Sequence, residues 1–236
     1  AVAEAAARGE EITHFGPDGN LFAELEDTFR RYAETGTGQV RRYVHTDAEA
    51  EETGCPPGTF TPWADIPADT DLLLYEGLHG GLVTDTVDVA RHVDLLIGVV
   101  PIINLEWIQK IHRDRAVRGY SAEAATDMIL RRMRDYVLYI TPQFSRTHIN
   151  FQRIPTIDTS NPFAAERIPN ESESAVVVHV QDRAIIDARY EGLLETLDGS
   201  FMSGPDTLLV PGPQYTRAME IIIYPVIERL MRARGT

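Results

Sequence analysis

The chain holds one cysteine, Cys55, and one lysine, Lys110, among 236 residues. A lone thiol excludes an internal disulfide and fits a reducing, cytoplasmic setting. The lysine is the more informative scarcity, because every other one of the 22 basic side chains is an arginine. No apolar run approaches the roughly 20 residues that span a bilayer. The opening AVAEAAARGEEITHF also lacks the basic region and apolar stretch of a secretory signal. A membrane partner is therefore not expected. Positive charge is short overall, with 22 basic against 36 acidic side chains and a net charge of -14. Such a surface repels nucleic-acid phosphate, so no nucleic-acid partner is expected. An anionic small substrate would need a locally positive pocket inside a negative field. The sequence shows no internal repeat, no low-complexity segment and no G-x-x-x-x-G-K-[ST] phosphate loop. At 43% hydrophobic it can bury one substantial core, which points to a single domain over 1–236.

The lysine sits in the densest run of chemically useful residues, WIQKIHRDRAVRGY at 107–120. At helical spacing Lys110, Asp114 and Arg118 share one face, with Arg113 beside them. An ammonium is a compact point charge and a guanidinium a planar fork, so the two cations suit different parts of a phosphate group. Cations flanking a carboxylate suggest a site for a phosphate ester and a metal ion. The alternative is a solvated helix face with ordinary ion pairs.

Alternation of apolar runs with amphipathic segments argues for an α/β protein with a largely parallel sheet. Residues 1–9 have helix propensity but no N-cap, as if a helix were entered partway. Leu21 to Thr35 reads as a helix, Gln39 to His45 as a strand and 46–62 as an acidic Gly/Pro loop. The runs DLLLYE at 71–76 and LLIGVV at 95–100 read as neighbouring buried parallel strands. The first would carry Glu76 at its C-terminal end, where open α/β sheets bind ligands. Helices are expected over 105–119, 122–139 and 215–234. Strands are expected at 175–180 and 207–210, with a strand end at 156–159.

The spacing from Lys110 through Arg113, Asp114, Arg118, Gly119 and Ser121 to Glu123 resembles the signature of the phosphoribulokinase family. TGTGQVRRYVH at 35–45, LLLYEGLHGG at 72–81, PQFSRTHINFQR at 142–153 and DTSNPF at 158–163 resemble its shorter bacterial form. The resemblance implies a three-layer fold of the P-loop kinase type with a mostly parallel or mixed central sheet. It implies ATP-dependent phosphorylation of ribulose 5-phosphate to ribulose 1,5-bisphosphate in the Calvin cycle, with Mg²⁺, in a cytoplasmic homo-oligomer. By the same resemblance Glu76 and Asp114 are acids at the metal, and Lys110 stabilises the transferring γ-phosphoryl group. Arg113 and Arg118 serve phosphates, His45 lies on the sugar-phosphate side, and Arg131 and Arg132 belong to a lid over ATP.

Two departures accompany the resemblance. The phosphate loop and the general-base aspartate of the family's leading segment have no counterpart here, so a missing first βα unit and negligible turnover by residues 1–236 are expected. His179 and Gly204 stand where NADH-activated members carry arginines, which weakens the expectation of NADH control. The alternatives are a non-catalytic kinase remnant acting in assembly or sugar-phosphate binding, and another uridine-kinase-like phosphotransferase.

Overall fold

The structure is a computed structural model that describes residues 7, 12–186 and 190–234. The chain divides into two compact units. One is Asn20–Val93; the other joins the stretch up to Gly19 to everything from Asp94 onward.

In the smaller unit, helix α1 (Phe22–Thr35) buries Phe22, Phe29 and Tyr32 at helical spacing. Gly36, in the left-handed region, closes it. The reading of Gln39 to His45 as one strand is corrected. Only β1 (Gln39–Val40) pairs, with β2 (Ala64–Asp65), and Tyr43 makes an isolated bridge to Phe60. The expected loop at 46–62 contains helix α2 (Asp47–Thr53). Its cause was present in the letters: Thr46 accepts from the Glu49 N–H while the Glu49 carboxylate accepts from Thr46, a capping box.

The expected strand at 71–76 does not form. Leu72 is 52% and Leu74 82% exposed, and the segment has no ladder among the described residues. An apolar run becomes a buried strand only when neighbours satisfy its backbone on both edges. The run instead stays outside any ladder, with Tyr75 edge-on to Phe29 at 5.2 Å between ring centroids.

The larger unit is an α/β fold around a mixed five-stranded sheet in the order β3-β4-β5-β7-β6. The strands are β3 (Ile97–Pro101), β4 (Ile149–Pro155), β5 (Ser174–Val180), β6 (Phe201–Gly204) and β7 (Thr207–Pro211). Only β3 and β4 run parallel; the other pairs are antiparallel. Register places Phe151 opposite Val178 and Val178 opposite Leu208, so these side chains share a face. With Ile149, Val176, Val180 and Val210 they cluster with Leu193 of α5 (Tyr190–Thr196), Leu197 just after it, and Ala218 and Ile222 of α6 (Tyr215–Arg234). Each such side chain contributes about 1.5–3 kcal/mol by leaving water.

β3 forms one end of this sheet and leads at once into α3 (Ile103–Arg118), whose second half carries the cationic segment. Helix α4 (Ala122–Asp135) follows, capped by the Ser121 hydroxyl accepting from Ala124 N–H at 3.1 Å. Ile111 of α3 packs on Ala125 and Ile129 of α4. The expected continuation of α4 to 139 is corrected, since the chain widens into a π turn at Tyr136–Ile140 and then a 3-10 turn at Thr141–Ser145. The expected strand end at 156–159 is also corrected, because pairing stops at Pro155. Most of the opening helix reading at 1–9 lies outside the described residues. No helix among the described residues is long and apolar enough to cross a membrane.

Candidate functional site

Three-residue spacing decides which way α3 faces. Leu105 and Ile108 are fully buried and Ile111 nearly so, which turns the stripe Glu106, Lys110 and Asp114 along an adjoining face. Asp114 is itself 0% exposed. A buried carboxylate must be paired to stay ionised. Lys110 supplies the pairing, its Nζ donating to Asp114 Oδ2 at 2.5 Å one helical turn away. The Arg113 Nε stands 3.9 Å from Asp114 Oδ1, with its side chain 60% exposed. The stem of Lys110 leans on α4, where its Nζ approaches the Met128 sulfur at 3.9 Å.

Glu106 completes the stripe and was not singled out by sequence reasoning. Its Oε2 accepts from the Tyr136 hydroxyl at 2.8 Å, from the π turn that ends α4. Burial holds this carboxyl above its ordinary range, while Tyr136, Arg113 and Lys110 pull the other way. Burial and the Glu106 charge raise the Tyr136 phenol well above its own. The signal for Glu106 was its place four residues before Lys110. Nothing in the letters announced Tyr136, which arrives through the turn.

Arg131 and Arg132 lie on α4 one turn beyond Met128. Arg132 Nη1 donates to His14 Nδ1 at 3.4 Å, and beside it Thr13 Oγ1 donates to Asp135 Oδ2 at 2.6 Å. The structure therefore gathers Lys110, Asp114 and Arg113, with Arg131 and Arg132 on the neighbouring helix. Arg118 ends α3, but its side chain lies outside the described residues.

Two expected site residues belong to the smaller unit. His45 is exposed, its ring 4.8 Å from Tyr43, and its backbone N–H donates to Glu49 Oε2 at 2.6 Å. Glu76 is exposed and ends an extended segment instead of a strand. Among the described residues no three His, Cys, Asp or Glu side chains gather as a metal cage. Asp114 does not fit a divalent ion in this arrangement, because it is enclosed and its charge is already met by Lys110. Glu76, open to solvent, can accept one.

Comparisons with known proteins show the family and the fold. Residues 1–160 match the phosphoribulokinase / uridine kinase family. The chromosomal phosphoribulokinase of Cupriavidus necator is 57% identical over 234 residues, covering 99% of this chain and 80% of that protein. The phosphoribulokinase of Nitrobacter vulgaris is 55% identical over the same shares, and the probable phosphoribulokinase of Escherichia coli 54%. The solved phosphoribulokinase from Rhodobacter spheroides superposes with a TM-score of 0.89 at 48% identity, over 99% of this chain and 81% of that one. These relatives lend no support to an inactive form, and they favour neither a non-catalytic remnant nor a different kinase. The chain belongs to the phosphoribulokinase family of kinases, which transfer phosphate to an alcohol acceptor.

Proposed function

We propose that the protein transfers the γ-phosphoryl group of ATP to ribulose 5-phosphate, giving ribulose 1,5-bisphosphate and ADP. The observation that carries this reading is the Lys110–Asp114 pair in the second half of helix α3, in a chain that uses lysine nowhere else. Phosphoryl transfer asks a protein for in-line positioning and for charge aimed at the transferring group. Lys110 supplies that charge as a mobile ammonium, and Asp114 holds it ready. Arg113, largely in solvent beside the pair, meets phosphate oxygens, as does Arg118. Arg131 and Arg132 serve the nucleotide, and His45 serves the sugar phosphate.

Glu76 is the acid proposed for Mg²⁺, which when bound neutralises charge on the nucleotide phosphates. Asp114 is assigned to Lys110 instead. In this reading the protein is a cytoplasmic homo-oligomer that serves the Calvin cycle. Phosphorus NMR of the product formed by the purified full-length gene product from ATP tests the reading. Ribulose 1,5-bisphosphate is expected. Phosphorylation of a nucleoside such as uridine, with ribulose 5-phosphate untouched, would overturn it.

A further inference from the structure

Lys110 stands between two carboxylates on one helical stripe, Glu106 one turn before it and Asp114 one turn after. In isolated helices the order acid then lysine is the better one. Lys110 nonetheless bonds Asp114, and Glu106 is held from across the turn by the Tyr136 hydroxyl at 2.8 Å. Glu106 is thus a carboxyl group held by Tyr136, while the lysine one turn on is paired with Asp114. The charged groups facing it are Lys110 and Arg113 from its own helix, with Tyr136 from the π turn. Burial works against its ionised form, so the fold gains no evident stability from keeping an acid there.

We propose that Glu106, tethered by Tyr136, is a positioning residue for phosphoryl transfer. Its charge steadies the Lys110 ammonium on the N-terminal side as Lys110 turns from Asp114 toward the transferring group. The inference rests on the role proposed for Lys110. A misplaced catalytic charge can cost up to about a hundredfold in rate even when every reacting group is present.

The test is a kinetic cycle in the full-length gene product, with thermal melting of each variant. Glu106→Gln keeps an acceptor for Tyr136 and removes the charge. It is expected to lower kcat about tenfold or more, with KM for ATP within about twofold and a melting temperature equal to or above the parent's. Tyr136→Phe is expected to lower kcat in the same direction, and the double variant no further than Glu106→Gln alone. In a Lys110→Met/Asp114→Asn background, Glu106→Gln is expected to change residual kcat by less than about twofold, because the group it acts through is gone.

An unchanged kcat in Glu106→Gln would overturn the inference, as would a loss of equal proportion in the lysine-free background. A lower melting temperature with normal kcat would make the residue structural and do the same. If Lys110→Met/Asp114→Asn itself turned over normally, the Lys110 role would fall first. That outcome is separate from failure of the Glu106 effect alone.

Discussion

Removing Lys110 does two things at once, because Asp114 has no exposure to water and depends on that ammonium. Lys110→Met leaves a buried carboxylate without its main cation, which typically costs about 3–5 kcal/mol of stability. Adding Asp114→Asn removes the charge left behind, so calorimetry is expected to show recovery of most of the lost melting temperature. Turnover is not expected to recover with it. Recovery of both would make the pair a packing device and nothing more. At this scale the sequence was legible where chemistry and spacing coincide, as at Lys110, Arg113 and Asp114. It was not legible for Glu106 and Tyr136, whose meeting across 30 residues depends on a π turn that helical periodicity does not foretell.

Helix α3 ends on Gly119 at φ 68°, a left-handed residue around which an added Cβ would meet nothing within 4 Å. Gly119→Ala therefore isolates backbone strain from crowding. It is expected to cost about 1 kcal/mol in chemical denaturation, and Gly119→Asn less. Equal stability of all three would remove the C-cap argument. A second element-level expectation concerns the turn that leads into β5. There Asn170 and Glu173 form a capping box, and Arg167 holds the Glu173 carboxylate with both guanidinium nitrogens. The ion pair comes first and the Asn170 N–H second in pulling Glu173 down to about 2 from an ordinary 4.5. A depressed carboxylate stabilises above its ordinary value and loses that contribution as pH falls through the folded one. The gap in melting temperature between parent and Glu173→Gln should thus narrow as pH drops from above 4.5 toward about 2. A gap constant across that range would contradict the assignment. The pair lies at the surface, so the whole effect should be small and weaken with salt.

The same scale shows what pattern reading misses. LLIGVV was recovered because β4 pairs with it over Ile97–Pro101, whereas DLLLYE, equally apolar, found no ladder. INFQRIP forms β4 although Gln152 and Arg153 interrupt its apolar letters. In the structure Arg153 is spent on Ser174 and on the Pro169 carbonyl, so its polarity is satisfied inside the sheet's margin. Helix α2 hid inside an acidic stretch that composition assigns to loop, although its capping box was spelled out in four letters.

Across the whole molecule, a net charge of -14 surrounds the site, and the substrates proposed for it are all anions. Binding must therefore be local, and the cations proposed to serve it sit on two adjacent helices, α3 and α4. The α/β class was readable from alternating runs, but the sheet is mostly antiparallel where those runs suggested parallel pairing. Register and direction come from which strands meet, which periodicity within one strand cannot say.

The most direct measurement is steady-state ADP release by the full-length gene product and its Lys110→Met/Asp114→Asn variant, with ATP and ribulose 5-phosphate, alongside calorimetric ATP affinity. A charge acting only on the transferring group is expected to take about 10²–10³ from kcat, with ATP affinity near the parent's. Parent-like turnover in the variant, or a loss traced wholly to weaker ATP binding, would contradict the account.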